Sequence, residues 1–234
     1  MDTTTSPIDC ACVIHGDFYS WEYVEKLYSM LTRHLTRPVR MHVYTESSRH
    51  VPAPFIKHAL ADMSVHHAWW HKLQLFNSEY HSGPLLYFDL DTVIVDNIDW
   101  IWKLPLNTFW TVKDFEYLWN PKSSKINSSI MWWDTLKFDY VWRQFIQTDF
   151  KQISLECKGD QNYINSVVKT RSFFDPTIVK SWRWQALDGG FNFRTKTHTA
   201  PKTGTIIDNV SILIFHGNPK PKEVTDHIIV KHWV

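Results

Sequence analysis

The first 45 residues alternate between strand-like and helix-like patterns, and this alternation limits the possible folds more than any other feature of the chain. "CACVIHGDFY" (10–19) starts as an apolar strand, and "VRMHVYT" (39–45) predicts a second one. Between them, "SWEYVEKLYSMLTRHL" (20–35) places apolar residues at helical spacing, with Ser20 as the expected N-cap. Strand–helix–strand units are right-handed and parallel in nearly all proteins. The chain is therefore expected to open an α/β sheet.

A later apolar strand leads into a pair of carboxylates. In "LLYFDLDTVIVDN" (85–97), Asp89 and Asp91 lie two residues apart, so in an extended chain both would point the same way and could share one divalent cation. A cation would also explain two like charges at the end of a buried strand. A turn or helix cap is the common alternative for a bare Asp-x-Asp pattern. The apolar residues on both sides favour a metal site instead.

The rest of the chain continues this alternation of strands and helices. We predict a weak strand at "MSVHHA" (63–68), an amphipathic helix at "WWHKLQLFNSEYH" (69–81), strands at "NTFWTVKDF" (107–115) and "INSSIMWWD" (126–134), a helix at "TLKFDYVWRQFIQTDF" (135–150), another helix from near Asp160, and a last strand in "SILIFHGNPKP" (211–221). Polar residues at or just after the carboxyl ends of strands should meet at one rim of the sheet, where open α/β sheets bind ligands. These residues are Asp17, Asp89, Asp91, Asn127 and His216.

Composition excludes several classes of protein. A chain of 234 residues that is 44% hydrophobic can form one substantial core, so we expect a single domain over residues 1–234. With a net charge of +1, no sequence-wide field selects nucleic acid or an anionic membrane. No apolar run reaches the length of a transmembrane segment, and the start lacks a basic region followed by an apolar one. We therefore expect a cytoplasmic protein, in which Cys10, Cys12 and Cys157 are reduced thiols.

Four motifs resemble a known family. "LLYFDLDTVIVDNIDWIW" (85–102) is similar to the Asp-x-Asp segment of GT-A fold glycosyltransferases, above all family 8, which includes glycogenin and bacterial galactosyl- and glucosyltransferases. "INSSIMWWD" resembles the family's Asn-Ala-Gly strand, "KGDQNYIN" (158–165) its Asp-Gln helix start, and "FHGNPKP" (215–221) its terminal His, Gly and Lys-Pro motif. The motifs occur in the family's order. With "VIHGDFY" (13–19) and "WWHKLQLF" (69–76), the resemblance covers nearly the whole chain.

The resemblance implies a fold and an activity. The fold would be α/β, with a Rossmann-like mixed, mainly parallel sheet flanked by helices. The activity would be metal-dependent transfer of a hexose from a nucleotide-sugar, expected to be a UDP-sugar, to a hydroxyl acceptor with retention of configuration. The acceptor could be a glycan, a lipid-linked sugar or a protein, because the acceptor region does not transfer. The segment 112–125 is either an acceptor-side loop or an ordinary surface loop.

Roles for individual residues also follow from the resemblance alone. Asp89 and Asp91, with His216 as third ligand, would bind Mn²⁺ or Mg²⁺ at the donor diphosphate, and Asp89 could also touch the ribose or the sugar. Asp160 and Gln161 are the candidates for facing the anomeric carbon, and Asp91 would also serve catalysis. The remaining residues would bind the donor: Asn127 the sugar, Lys72, Gly217 and Lys220 the phosphates, and His15, Gly16, Asp17 and Tyr19 the base.

Two positions depart from the family pattern. Relatives carry the ligand histidine three residues before the glycine. In this chain that position is Ile214, and His216 directly precedes Gly217. Residues 214 and 216 face the same side of a strand, so His216 could still reach the cation. Ser128 and Ser129 replace the family's Ala-Gly, which changes the shape expected for the sugar pocket.

Three alternatives stay open at the level of sequence. Residues 89–93 also satisfy the Asp-x-Asp-x-Thr/Val signature of haloacid dehalogenase-type phosphatases, with Asp89 as nucleophile, although that signature normally lies on the first strand. His67 and His71, at i and i+4 in "HHAWWH", could form a zinc site, but no Glu follows His67 as in a zinc protease. The third alternative is an inactive nucleotide-sugar-binding relative.

Overall fold

The protein is built around a seven-stranded sheet. Its computed structural model describes residues 6–61, 68–186, 191–192, 197–198 and 208–234. The strands are β1 (Ile8–Val13), β2 (Val39–Thr45), β3 (Ile56–Ala59), β4 (Pro84–Phe88), β5 (Thr92–Ile94), β6 (Phe109–Lys113), β7 (Ile126–Asp134), β8 (Arg171–Phe173), β9 (Val179–Ser181), β10 (Phe191–Asn192), β11 (Thr197–His198) and β12 (Ile212–Ile214). The α-helices are α1 (Glu22–His34), α2 (Thr135–Phe138), α3 (Tyr140–Gln147), α4 (Phe150–Glu156), α5 (Asp160–Val167) and α6 (His227–His232).

The large sheet has the order β3-β2-β1-β4-β7-β6-β8. Strands β3, β2, β1 and β4 are parallel, β7 is antiparallel to both β4 and β6, and β8 is parallel to β6. Every strand except β7 therefore runs in the same direction. The predicted α/β class with a mixed, mainly parallel sheet is confirmed, as is the parallel pairing of β1 with β2 around α1.

Helices cover both faces of this sheet. Cys10 and Cys12 share one face of β1 and lie, fully buried, in the core cluster that contains the apolar side of α1. Ala11 faces the opposite cluster, which includes residues of α3 and α5. The three cysteines are free and buried, in agreement with the predicted thiols. No helix in the part of the chain that the structure describes is both long and apolar enough to cross a membrane.

A small second sheet, in the order β5-β12-β9, places the last strand beside the Asp-x-Asp segment. Strand β12 is antiparallel to β5 and parallel to β9. Just beyond β12, the amide of Phe215 donates to the carbonyl oxygen of Asp91 at 3.1 Å. The residues that follow Phe215 are thereby held next to the two aspartates.

Several local predictions were wrong. Ser20 makes no side-chain cap, since α1 begins at Glu22 after a helical Trp21. The expected amphipathic helix at 69–81 is a 3₁₀ helix, Ala68–Phe76, and it is buried on all sides from Trp70 onward. The single helix expected at 135–150 is divided into α2 and α3. Helix α3 ends at Gln147, before the extended residue Thr148. Of the weak strand expected at 63–68, residues 63–67 lie outside the described part of the chain.

Candidate active site

A cavity of about 750 Å³ opens at the carboxyl edge of the large sheet. Its volume falls in the range of about 300–1,000 Å³ that is usual for ligand pockets. The structure brings most of the predicted site residues together around this cavity. Those lining it are His15, Tyr19, Lys72, Asp89, Asp91, Asn127, Asp160, Gln161 and His216.

Asp89 and Asp91 directly follow β4, in the turn before β5, and so lie at the end of a buried strand as predicted. Each carboxylate has a tyrosine and a lysine of its own. Asp89 accepts from the Tyr87 hydroxyl at 2.5 Å and pairs with Lys72 at 2.9 Å. Asp91 accepts from the Tyr19 hydroxyl at 2.9 Å and pairs with Lys220. The two negative charges are thus held in place by side chains from separate parts of the chain.

The pKa shifts of these groups follow from their burial and from the charges around them. Burial, together with the charge of Asp89, raises the pKa of Asp91, and the contact with Lys220 only partly opposes that rise. Burial alone would lower the pKa of Lys72, but the carboxylates of Asp160 and Asp89 outweigh it and the pKa is raised. Lys72 therefore remains charged, while Asp91 keeps a demand for additional positive charge.

A hydrogen-bonded network joins Lys72 to the start of α5. Lys72 Nζ pairs with Asp160 at 3.1 Å, and the Ser128 hydroxyl donates to the same carboxylate at 3.0 Å. Gln161 is fixed at both ends of its amide, because Oε1 accepts from the Ser128 amide at 3.2 Å and Nε2 donates to Asp114 at 3.0 Å. The serine that departs from the family's alanine is therefore a structural link between β7 and α5. The sequence did not predict that Ser128 links these two elements, nor that Asp114 contacts Gln161.

The structure positions Asn127 at the amino end of β7, whereas the sequence suggested a carboxyl end. Because β7 is antiparallel to β4, its amino end lies at the same rim as the aspartates, so the expected convergence still occurs. The Asn127 side-chain oxygen accepts from the Ser129 amide at 3.0 Å. This bond lies at the irregularity in the pairing of β7 with β6, where the serine pair lines the cavity.

The segment predicted to surround the base follows β1. The rings of His15 and His71 stack with centroids 4.4 Å apart, and His71 is buried. Gly16 adopts a φ of +64°, donates its amide to Glu46 and accepts from Arg49 at 2.7 Å. Asp17 is exposed and does not line the cavity. The left-handed backbone at Gly16 is a conformation that glycine adopts without strain.

His216 lines the cavity, but its ring nitrogen Nε2 is already bonded to the Ser181 hydroxyl at 2.6 Å. Its ring stacks on Phe115 with centroids 5.1 Å apart. Burial, and then the nearby charges of Arg183 and Lys220, lower the pKa of His216 to about 4. The histidine is neutral at pH 7 and is held in an aromatic setting, next to Gly217 with its φ of +75°.

The donor set at the rim fits a hard divalent cation only in part. Carboxylate oxygens are ligands that Mn²⁺ and Mg²⁺ prefer, and Asp91 lacks sufficient positive charge around it. Asp89, Asp91 and His216, however, do not converge as a ready-made trio. Among the described residues, one group of three possible ligands has its atoms within 4.8 Å of one another, and it is Asp9, His42 and His81.

Comparison with known proteins identifies the fold. No family model and no curated protein sequence matches the chain. Among solved structures, the apo form of the glycosyltransferase GlyE of Streptococcus pneumoniae TIGR4 superposes with a TM-score of 0.69 at 13% identity, covering 97% of this chain and 59% of that one. The chain has the GT-A glycosyltransferase fold. This confirms the fold that the sequence motifs implied.

Two further structures share the GT-A fold. The galactosyltransferase LgtC in complex with donor and acceptor sugar analogs gives a TM-score of 0.59 at 13% identity, covering 96% of this chain and 93% of that one. Mouse xyloside xylosyltransferase 1 gives 0.55 at 12% identity, covering 92% and 100%. The chain spans only 46% to 59% of the two GlyE chains, so it matches about half of that protein.

The fold excludes one of the three open alternatives. A GT-A sheet with an antiparallel β7 beside the Asp-x-Asp strand is not the scaffold of a haloacid dehalogenase-type phosphatase, so that reading is dropped. For the zinc site in "HHAWWH", His67 lies outside the described residues, and His71 is stacked against His15.

Proposed function

We propose that this protein is a glycosyltransferase that transfers a hexose from a nucleotide-sugar, a UDP-sugar, to a hydroxyl of a glycan, a lipid-linked sugar or a protein, with retention of configuration. One observation carries the proposal. Asp89, Asp91, Asp160 and Gln161 line a single cavity, with two lysines at their carboxylates, at the carboxyl edge of a GT-A sheet. The fold alone would permit other functions, whereas this set of charges suits a sugar diphosphate.

The diphosphate would bind on the side of the cavity formed by the Asp-x-Asp turn. Asp89 and Asp91 would hold the divalent cation, Mn²⁺ or Mg²⁺. Such a cation supplies electrostatic stabilisation to the departing diphosphate. Lys220 is placed to act in the same way, because its ammonium group lies at Asp91 and could reach a phosphate oxygen beside it. Charge aimed at the leaving group stabilises the transition state more than the ground state.

The sugar would bind near the start of α5. Glycosyl transfer passes through an oxocarbenium-like state, and the carboxylate of Asp160 can stabilise positive charge at the anomeric carbon. Gln161 lines the cavity beside it, with its amide oriented by Ser128 and Asp114. One of the similar structures is an active-site mutant of LgtC in which glutamine is replaced by glutamate. An active-site glutamine in a protein of the same fold agrees with the role that we propose for Gln161.

The acceptor would enter from the open side of the cavity. Trp69 lines the cavity and is 47% exposed, and Phe18, which also lines it, is 74% exposed. Aromatic faces of this kind suit stacking against sugar rings. The segment 112–125 also contacts the site, since Asp114 binds Gln161 and Phe115 stacks on His216. This supports the acceptor-side interpretation of that segment.

The experiment is a thermal-shift screen of the full chain against nucleotides and nucleotide-sugars, with and without Mn²⁺. A ligand that binds only the native state at about 100 times its Kd stabilises it by about 2.7 kcal/mol. We expect a Mn²⁺-dependent shift with a UDP-sugar and slow hydrolysis of that donor. Asp91→Asn is the matched variant and should lose the Mn²⁺-dependent part of the shift.

Two results would count against the proposal. A shift without any turnover, hydrolysis included, would indicate an inactive nucleotide-sugar-binding protein. No shift with any nucleotide-sugar would remove the donor assignment altogether.

A further inference from the structure

A cluster of histidines lies on the large sheet, away from the donor cavity. In the register of β1 against β2, Asp9 lies beside Arg40, and Ala11 lies beside His42. Residues two apart on a strand share a face, so Asp9 and His42 project to the same face of the sheet. His81 reaches the same place from the segment just before β4. None of the three lines the donor cavity. Along β1, Asp9 is four residues, or roughly 13 Å, before the cavity-lining Val13.

We propose that Asp9, His42 and His81 form a binding site for a divalent transition-metal ion, best suited to Zn²⁺, that is separate from the donor site. The ligand atoms of the three side chains lie within 4.8 Å of one another, and the side chain of His42 is buried. Two imidazoles and one carboxylate, with water in the fourth position, form a common zinc coordination set. In a tetrahedral site with bonds of about 2.0–2.2 Å, ligand atoms lie roughly 3.4 Å apart, so only small side-chain movements are needed.

The surroundings of both histidines match those of metal ligands. A metal-bound histidine almost always donates its other ring N–H to a fixed acceptor, which sets the direction of the ring. His81 Nε2 lies 3.0 Å from the carbonyl oxygen of Pro84, which leaves Nδ1 for the ion. His42 Nδ1 lies 2.8 Å from His58 Nε2, which leaves Nε2 for the ion. Each histidine therefore already has its outer partner.

The carboxylate is supported in the same manner. Asp9 Oδ2 accepts from the guanidinium of Arg40 at 2.6 Å, while Oδ1 faces His42 Nε2 at 2.7 Å. Without the ion, the proton on His42 Nε2 donates to Asp9, and His42 Nδ1 accepts from His58. When the ion binds, that proton moves to Nδ1 and is donated to His58 Nε2, while His58 moves its own proton from Nε2 to Nδ1, so both rings change tautomer without a net change in charge. Arg40 also contacts Oδ1 and would retain Oδ2.

The occupant is expected to be a transition metal and not Ca²⁺ or Mg²⁺. Those two ions prefer sites made wholly of oxygen ligands, whereas imidazole nitrogens suit Zn²⁺ and its neighbours. Bound there, the ion would join β1, β2 and the segment before β4. It would stabilise the sheet without taking part in the reaction at the opposite edge.

The test uses Co²⁺ as a spectroscopic substitute for Zn²⁺, added to the full chain after chelator treatment. We expect one equivalent to give the strong visible absorption of a four-coordinate site, and Zn²⁺ to abolish it by competition. His81→Gln should lose the absorption, and Asp91→Asn should keep it, which separates this site from the donor cavity. His232→Gln is a matched control, because His232 stacks on His34 without a third ligand among the described residues.

A second measurement guards against misfolding. His81→Gln in chelator should unfold at the same temperature as the unsubstituted chain, while only the latter should gain about 5–10 °C with Zn²⁺ at 100 times its Kd. His58→Phe keeps a ring against Tyr44 and should weaken Zn²⁺ binding by about 10- to 100-fold. Absorption that survives His81→Gln, absorption that is lost in Asp91→Asn, or no absorption and no Zn²⁺ shift in the unsubstituted chain would each overturn the proposal.

Discussion

Replacing Lys72 with methionine tests the charge balance on which the candidate site depends. Lys72 is 7% exposed, and its ammonium group lies 2.9 Å from Asp89 and 3.1 Å from Asp160. Methionine fills nearly the same space but leaves two carboxylates near each other without their common cation. Removing one partner of a buried ion pair costs about 3–5 kcal/mol, because a buried charge is left uncompensated. For a chain of this size, that corresponds to a fall in Tm of about 6–20 °C.

The pH dependence of this loss distinguishes charge from packing. In the unsubstituted chain the pKa of Lys72 is raised. The stability that Lys72 contributes is therefore fully present at any pH below the ordinary lysine pKa of about 10.4, and it is constant between pH 5 and 8. In Lys72→Met, the two carboxylates lose their common cation, so the folded state disfavours their ionised forms. Stability of the variant should then fall as the pH rises. The gap between the two proteins should be larger at pH 8 than at pH 5.

The assay is thermal and urea unfolding of both proteins at pH 5 and pH 8. Lys137→Met is the matched control, because Lys137 is half exposed and its carboxylate partner Asp134 lies 3.9 Å away. Exposed pairs contribute about 0–1 kcal/mol. Adding Asp160→Asn to Lys72→Met should restore part of the lost stability, since it removes one of the two orphaned charges. If Lys72→Met costs no more than Lys137→Met, or costs the same at both pH values, the reasoning is refuted.

Two further predictions concern the Asp-x-Asp turn and the last strand. Because burial and Asp89 raise the pKa of Asp91, the ionised form of Asp91 disfavours folding at pH 7. Asp91→Asn should therefore unfold in chelator at the same or a higher temperature, while it loses Mn²⁺-dependent donor binding. A large drop in Tm would contradict this. The pKa of His216, lowered to about 4, makes the fold lose stability as pH falls from about 7 toward 4. His216→Phe keeps an aromatic ring against Phe115 and should lose less stability over that range; identical Tm profiles would argue against a buried neutral histidine.

Local patterns in the sequence predicted the parts of the fold that depend on neighbouring residues. The strand at 39–45 has the bounds of β2, and α5 begins at Asp160, because alternation and helix spacing are properties of short segments. The same reasoning placed Asp89 and Asp91 at the end of a buried strand, which is where β4 ends. Periodicity cannot show that the chain leaves the large sheet at Phe88 and enters the small one at Thr92. That change of sheet depends on pairing with β12, far along the chain.

The candidate site divides in the same way. Convergence of polar residues at one rim could be inferred from the rule for open α/β sheets. Their partners could not, since Lys220 meets Asp91 across 129 residues and Lys72 meets Ser128 across 56. Asp9 and His42 are 33 residues apart, and no sequence motif links them. Their contact depends on the register of β1 against β2. Contacts between segments that are far apart in the sequence can be identified only once the fold is known.

The two lysines at the aspartates differ in what they can do during donor binding. Lys72 is enclosed by Asp89, Asp160 and Ser128, so it can only stay where it is. Lys220 follows the last strand and is held at the rim mainly by Asp91. A divalent cation at Asp91 would compete with Lys220, whereas phosphate oxygens would offer that lysine a new partner. Cation and nucleotide should therefore bind together more readily than either binds alone.

Lys220→Ala tests this competition through two effects of opposite sign. Without nucleotide, the variant should bind Mn²⁺ more tightly, because the Asp91 carboxylate no longer has a lysine to displace. With Mn²⁺ present, it should bind nucleotide-sugar more weakly and turn it over more slowly, since a positive charge at the phosphates is lost. Titration calorimetry of Mn²⁺ alone, and then of UDP in saturating Mn²⁺, measures both. Lys222→Ala is the matched control, because Lys222 is exposed, pairs with Glu22 and should change neither value. If Mn²⁺ and UDP affinities in Lys220→Ala move in the same direction, Lys220 and the cation do not compete for Asp91.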